Sequence, residues 1–419
     1  MNFLQRLLDW FFPTLVILYL LSADAPQPGD AFDRAHAYTR AAQFSYESWT
    51  VDAVWQKAQQ SALGLPGYMA REDQAVVVME YVRITGEILN AENRLTILFT
   101  DPSIADKDAA SAHVRAQLNA LYIRQQSLAP LAESIIQAQV AVTLNEFGLS
   151  LGGQTIPPVM YHVSPLPLNL VISRRDKIEQ IAAISLEPDV ALDQQIYIED
   201  KVAKTLGYST LIVPVGGIGV YPTMVMETTN FQWQVNTVVH EWTHNFLSLR
   251  PLGILYGATP ELRTINETVA SIVESEVGPR VIQNYYPQLR ASSSAPGLAS
   301  WTQILPPADE APFDYRAEMH TTRVHVDELL ADGKIEQAET YMEQRRQFFW
   351  NNGYAIRKLN QAFFAFHGAY ADVPGGAAGE DPVGPAVRAL REQSASLADF
   401  LNTISWMTSF EELLAAVGQ

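Results

Sequence analysis

The chain has 419 residues, more than one ordinary domain requires, and its 48% hydrophobic and 18% charged content is that of a globular protein. With 28 Lys and Arg against 46 Asp and Glu, the formal net charge is −18 at pH 7, which excludes a nucleic-acid partner and electrostatic docking on anionic lipid. The absence of cysteine excludes disulfides, thiolate metal ligands and cysteine nucleophiles.

Near the start, residues 10–21 form an apolar run, short for a membrane span and suited to the hydrophobic region of a signal peptide. Ser22-Ala23-Asp24-Ala25 supplies a small-residue cleavage site, while Arg6 is opposed by Asp9 in a weakly basic leader. Residues 1–25 are therefore expected to be a signal peptide or a membrane anchor, giving an extracytoplasmic protein that is secreted, periplasmic or membrane-anchored. Residues 26–150 read as an N-terminal helical region, with apolar positions at helical spacing over 48–62, 71–98 and 105–147. Pro130 is expected to break or kink the last of these.

The pattern changes over residues 151–291. Short apolar runs at 159–163 and 168–172 predict strands, 192–206 a helix, and 209–215 a buried strand. Gly216-Gly217-Ile218-Gly219 reads as a flexible turn and residues 220–227 as the next strand. Pro222 inside that strand points to a sheet edge, where a missing N–H is tolerated. Residues 231–249 hold no Gly or Pro and carry Val235, Val238, Val239, Trp242, Phe246 and Leu249 at helical spacing, with Thr229 or Asn230 as N-cap. A Pro/Ser-rich stretch at 292–312 is a linker or loop. In the C-terminal helical region, 313–419, helices are expected over 315–332 and from 335 to about 370. A Gly/Pro-rich loop at 374–385 and short closing helices follow. The expected fold class is α+β and mostly helical: a small mixed sheet with an edge strand beside the helix at 231–249, flanked by N-terminal and C-terminal helical regions.

Inside that helix stands His240-Glu241-Trp242-Thr243-His244, an H-E-x-x-H pattern. Such a pattern arises by accident in a chain of this His and Glu content at a rate on the order of one per cent, so its neighbours must carry the assignment. On a helix, residues i and i+4 project from one face with Cβ atoms about 6 Å apart. Two imidazoles can then meet one ion at a Zn–N distance of about 2.0–2.1 Å. Glu241 lies about 100° round the helix from His240 and can reach a zinc-bound water without ligating the ion. The plainer alternative is a pair of half-buried histidines on an amphipathic helix. With only 8 histidines in the chain, the spacing and the intervening Glu favour the metal.

A catalytic zinc needs a third protein ligand and an open position. The metzincin extension requires Gly and His at positions occupied by Leu247 and Arg250, so that class is excluded. A second helix opens at Thr264, with Ile265, Val269, Ile272 and Val273 as its apolar stripe and Glu267, Ala270, Ser271 and Glu274 on another face. Small residues in the middle of that face would let the helix pack closely on the first and bring Glu267 to the metal. Here residues 205–280 resemble the gluzincins, the thermolysin-like and aminopeptidase-like zinc peptidases, whose third ligand is the Glu of an Asn-Glu-x-x-Ala-type helix. Asn266-Glu267-Thr268-Val269-Ala270 fits that pattern, at a slightly longer spacing from His244. The resemblance implies His240, His244 and Glu267 as ligands of one Zn²⁺ and Glu241 as general base and acid. Glu261 and Glu274 are rival ligands, and Ser271 or Glu274 is available to orient a ligand histidine. The sequon Asn266-Glu-Thr overlaps this helix, so a glycan there is incompatible with the reading.

In gluzincins an extended substrate adds to the edge strand before the active helix, a role that residues 220–227 would fill, and a Tyr or His across from the zinc holds the developing oxyanion. His320, His325 and Tyr370 are the candidates for that donor, and residues 360–370 faintly resemble the C-terminal helices of bacterial predicted aminopeptidases. An aminopeptidase also needs an acidic anchor for the substrate amine, for which Glu227 is the candidate. The expected function is a zinc-dependent peptidase acting on a peptide or protein, with a membrane tether as an N-terminal option. The alternative is a zinc-binding scaffold or chaperone-like protein without turnover. An intramembrane protease is disfavoured because Gln232, Gln234, Asn236 and Thr237 interrupt any apolar span.

Overall fold

The computed structural model describes residues 31–61, 64–100, 104, 106–292, 313–368, 379 and 381–418. The expected signal segment, nearly all of the 292–312 linker, half of the 374–385 loop and Tyr370 lie outside the described residues.

Four helices open the described chain: α1 (Ala31–Thr39), α2 (Tyr46–Ser61), α3 (Arg71–Thr100) and α4 (Lys107–Glu146). Strands β1 (Tyr161–Val163), β2 (Leu168–Ser173) and β3 (Gln180–Leu186) lead to α5 (Leu192–Leu206), then to β4 (Ser209–Pro214), β5 (Gly217–Ile218) and β6 (Thr223–Val225). The motif helix α6 (Phe231–Leu247), the short α7 (Pro251–Ile254) and α8 (Pro260–Tyr285) follow. Six further helices close the chain: α9 (Tyr315–Ala331), α10 (Ile335–Asn351), α11 (Gln361–His367), α12 (Val383–Gln393), α13 (Leu397–Ile404) and α14 (Phe410–Val417). The fold is α+β and mostly helical, as expected.

Three local expectations change. α4 runs unbroken through Pro130. Leu118 and Gln125 before it and Ala132, Ile135 and Ile136 after it are buried, so packing on both sides holds the helix across the lost hydrogen bond. α8 begins at Pro260 rather than Thr264, because Thr259 caps it by accepting from Leu262 N and Pro260 takes the first turn, where no N–H is needed. The run expected to stay helical to residue 370 stops at Asn351, where Gly353 takes φ +87°, and resumes only as α11. By length and composition α4 is the one described helix apolar enough to cross a membrane; its buried residues pack with those of α3, α6 and α8 in the main core.

Two small sheets position the motif. In the antiparallel sheet β3–β2–β4, side chains alternate between faces: Val171, Leu211 and Val213 pack with α9, α10 and α11, whereas Leu170, Ile172, Ile184 and Ile212 pack with α1 and α5. The second sheet has the order β1–β6–β5, with β6 parallel to β1 and antiparallel to β5. This corrects the assignment of residues 220–227 as the edge. β6 is the central strand, bonded on both sides, and Pro222 precedes its first paired residue, Thr223, so it removes no ladder bond. The edge beside α6 is β5, formed by the glycine-rich segment expected to be a turn.

The main core joins α3, α4, β1, β6, α6, α8 and α12 to α14 around Trp242, Phe246, Val273 and Phe400. Within it Glu133 of α4 is 1% exposed and ties α4 to two other elements at once. It pairs with the buried Lys57 ammonium of α2, accepts from Val163 N of β1 at 2.9 Å and meets His162 Nδ1 at 3.1 Å. Burial alone would raise the Glu133 pKa, but Lys57 and His162 bring it down to about 2. A folded pKa below the unfolded one means that this stabilisation is complete above the ordinary carboxylate pKa and is lost as pH falls towards 2. Glu133→Gln, which leaves Lys57 as an uncompensated buried charge, should lower the unfolding free energy by about 3–5 kcal/mol. Urea denaturation should read this as an earlier midpoint, with weaker stability loss on acidification than in the parent protein.

Candidate metal centre

α6 starts where the Asn230 side chain accepts from Trp233 N at 3.0 Å and ends before Pro251, whose predecessor Arg250 is extended. The chain then reverses tightly: a Cβ on Gly253 would stand 2.2 Å from the Leu247 carbonyl carbon. α8 returns against α6, and a Cβ on Gly278 would stand 2.0 Å from Asn236 Oδ1, so any larger residue there would have to displace the Asn236 side chain. The two helices therefore pack closely along the faces that carry His240, His244, Glu267 and Glu274.

His240, His244 and Glu267 come together as one group able to hold a metal ion. The two Nε2 atoms lie 3.1 Å apart, and Glu267 Oε2 is 3.5 Å from each. Donors bound tetrahedrally to one zinc at about 2.0–2.1 Å stand about 3.3 Å from each other, so the spacing fits a common ion. The hydrogen-bond partners of the two rings are compatible with one. His240 Nδ1 is 2.9 Å from Glu274 Oε2, and His244 Nδ1 is 2.7 Å from Asn266 Oδ1. The Asn266 amide is oriented by Nδ2, which donates to Leu252 O at 3.3 Å. A ring that is neutral with these partners carries its hydrogen on Nδ1 and presents an Nε2 lone pair. Glu267 Oε2 is buried and has no hydrogen-bond partner. With both rings in that state, the three atoms form a donor set for a cation at their centre.

The titration behaviour has the same origin. Burial disfavours the His240 imidazolium, but Glu274 and Glu267 outweigh it and raise its pKa well above the ordinary value. The His244 pKa is also raised, as Glu267 overcomes burial. Burial pushes Glu267 up, yet the two rings hold it well below the usual carboxylate range. Glu241, outside the triad, is pushed up by burial against the pull of His244 and His240.

The second Glu267 oxygen, Oε1, accepts from the hydroxyl of Tyr256. Arg263 Nε donates to that hydroxyl at 3.3 Å and Arg263 Nη1 to Ala365 O of α11 at 2.8 Å. On the other side, β5 lies directly on the face of α6 that carries Glu241 and His244. A Cβ on Gly217 would stand 2.5 Å from Glu241 Oε1, and one on Gly219 would stand 3.0 Å from His244 Cβ. α6 is pinned to this sheet by Asn245 Nδ2, which donates to Thr223 Oγ1 at 3.0 Å and to Val220 O at 3.3 Å.

Of the remaining candidates, Glu274, rather than Ser271, orients His240. Glu261 is exposed in the first turn of α8, away from the group. Glu227 is half-buried and accepts from Gln125 Nε2 and from Thr85 Oγ1 at 3.4 Å. His325 is exposed, 3.1 Å from Glu328 and edge-on to Tyr341. His320 is half-buried on α9 and does not join the triad. Sequence reasoning missed Asn266 as an orienting group, although its place beside Glu267 on α8 was visible. It also missed Tyr256, which sits between helices with no periodic signal.

The chain matches no protein-family model, no curated protein and no solved structure.

Gly217→Ala should cost about 1–3 kcal/mol through overpacking and displace Glu241 or the strand. The measurement is a thermal midpoint together with amide hydrogen exchange at 217–218 and 240–244. Gly257→Ala, with open space around its Cβ position, should leave both unchanged.

Proposed function

We propose that this protein is a zinc-dependent peptidase of gluzincin type, with His240, His244 and Glu267 as the metal ligands and Glu241 as general base and acid. One observation carries the reading: two imidazole lone pairs and one orphaned carboxylate oxygen converge at 3.1–3.5 Å, beside a fourth buried residue, Glu241, that belongs to the same motif and stays outside the triad. Two neutral imidazoles and one carboxylate are the donor set of a hydrolytic zinc site with one position left open. Zinc, when bound, supplies Lewis-acid activation of a water molecule and of the carbonyl it attacks.

The chain's own residues supply the rest. Glu241 takes a proton from the attacking water and later returns it to the amine nitrogen of the leaving peptide. Burial raises its pKa, which makes it a better proton acceptor than an exposed carboxylate. Glu274 and Asn266 fix the ring hydrogens on Nδ1 and so keep both Nε2 atoms available. The free edge of β5, half-exposed at the level of Glu241, offers main-chain groups to which an extended peptide can pair. The apolar segment at residues 10–21 supports an extracytoplasmic, exported or membrane-anchored setting, and the net charge of −18 supports a peptide rather than a nucleic-acid substrate.

Glu241→Gln should retain zinc and lose hydrolysis by about 10²-fold or more, whereas His240→Ala should lose the metal. Metal content and cleavage of a peptide library before and after chelation are the measurements. A fully active Glu241→Gln protein overturns the mechanism. Stoichiometric zinc with no chelator-sensitive cleavage by the parent protein favours the binding scaffold instead.

A further inference from the structure

The two oxygens of Glu267 are treated differently by the fold. Oε2 faces the histidines and is buried without a hydrogen-bond partner, whereas Oε1 is held by the Tyr256 hydroxyl. A tyrosine has one hydrogen to give, and its neighbour decides where it goes. Arg263 can only donate, and its Nε lies 3.3 Å from the Tyr256 oxygen. It therefore occupies a lone pair and directs the O–H to Glu267. Arg263 is steadied in turn by Nη1, which donates to Ala365 O on α11 at 2.8 Å. The ring of Tyr256 is edge-on to His244, with centroids 6.1 Å apart, so the phenol is also braced against a second member of the triad.

We propose that Tyr256, oriented by Arg263, is a positioning residue that limits Glu267 to one oxygen toward the metal and so sets the coordination number of the site. The inference rests on the metal-binding reading above and deepens it. A carboxylate with both oxygens free can ligate through both, which adds a fifth ligand and crowds the position a water or a substrate carbonyl must take. By occupying Oε1, Tyr256 keeps that position open. Its action is on Glu267 rather than on any reacting atom. The relay also ties the ligand shell to α11, through residues separated by about a hundred positions in sequence.

The experiment is cobalt substitution of the purified full chain, Tyr256→Phe and Arg263→Met, with Co²⁺ as the probe. Four-coordinate Co²⁺ absorbs visible light several-fold more strongly than five-coordinate Co²⁺. The parent protein should give the stronger spectrum. Tyr256→Phe should weaken it towards the five-coordinate intensity and change Co²⁺ affinity by about tenfold, in the range of effects of residues that orient metal ligands. Arg263→Met, which releases the hydroxyl without removing it, should shift the spectrum in the same direction by a smaller amount and serves if Tyr256→Phe does not fold. A purely structural role would lower the thermal midpoint and leave the spectrum of the folded variant unchanged, and that result overturns the proposal. Failure of the parent protein to bind Co²⁺ at all overturns the metal reading itself, so the two failures are told apart by the parent sample.

Discussion

Two imidazole nitrogens and a carboxylate oxygen are turned inward on one another in a buried pocket, and much of this molecule is arranged to hold them there. Each of the three side chains is restrained by its other polar atom. Glu274 and Asn266 take the two Nδ1 hydrogens, and Tyr256 takes the outer oxygen of Glu267. Unrestrained, any one ring could rotate or change tautomer and satisfy itself locally, at the cost of the convergence. Two of the three restraining side chains come from α8 and the third from the loop just before it. The site is thus a property of the contact between two helices rather than of the H-E-x-x-H segment alone.

That contact has its own conditions. α6 and α8 approach closely because Gly278 leaves room for Asn236, and the short reversal between them is tight enough to require Gly253 against the Leu247 backbone. The sheet β1–β6–β5 then fixes the open side of α6. Its far strand is tied into the core by Glu133, which joins α2, α4 and β1 through Lys57, His162 and Val163. A buried ionic group of this kind adds little stability over an apolar replacement but penalises misplacement strongly. It fixes β1, hence β6, hence the strand that lies on Glu241.

How much of this was legible in the sequence depended on whether a residue signalled through periodicity. His240 and His244 shared one face of a helix with a clear apolar stripe, which followed from the 3.6-residue repeat, whereas Glu267 was singled out from its rivals by the resemblance of Asn266 to Ala270 to the gluzincin pattern. Glu274 was visible on the same face of the second helix, although its choice of His240 was not. The limits of α8 were misjudged because Thr259-Pro260, a capping pair, was passed over in favour of the apolar stripe. β3 went unread since Gln180-Ile-Ala-Ala-Ile-Ser-Leu alternates weakly and reads equally well as helix. Glycine was the larger obstacle. Gly216 to Gly219 looked like a turn because glycine reports conformational freedom and carries no face, whereas here it is required by the proximity of α6. Tyr256 and its Arg263 partner depend on a loop and on a distant helix, information that local sequence does not contain.

The glycine-lined strand has a mechanical side. Between most strands and the helices they cover lies a layer of side chains, and that layer can repack to absorb small shifts of the backbone. At β5 the layer is missing, and the main chain rests against the carboxylate of Glu241 and the stem of His244. Packed protein is nearly incompressible, so a displacement of this edge reaches Glu241 almost undiminished. Anything that paired with the strand would therefore push on Glu241 as it bound, and the position of that carboxylate would read out occupancy at the edge.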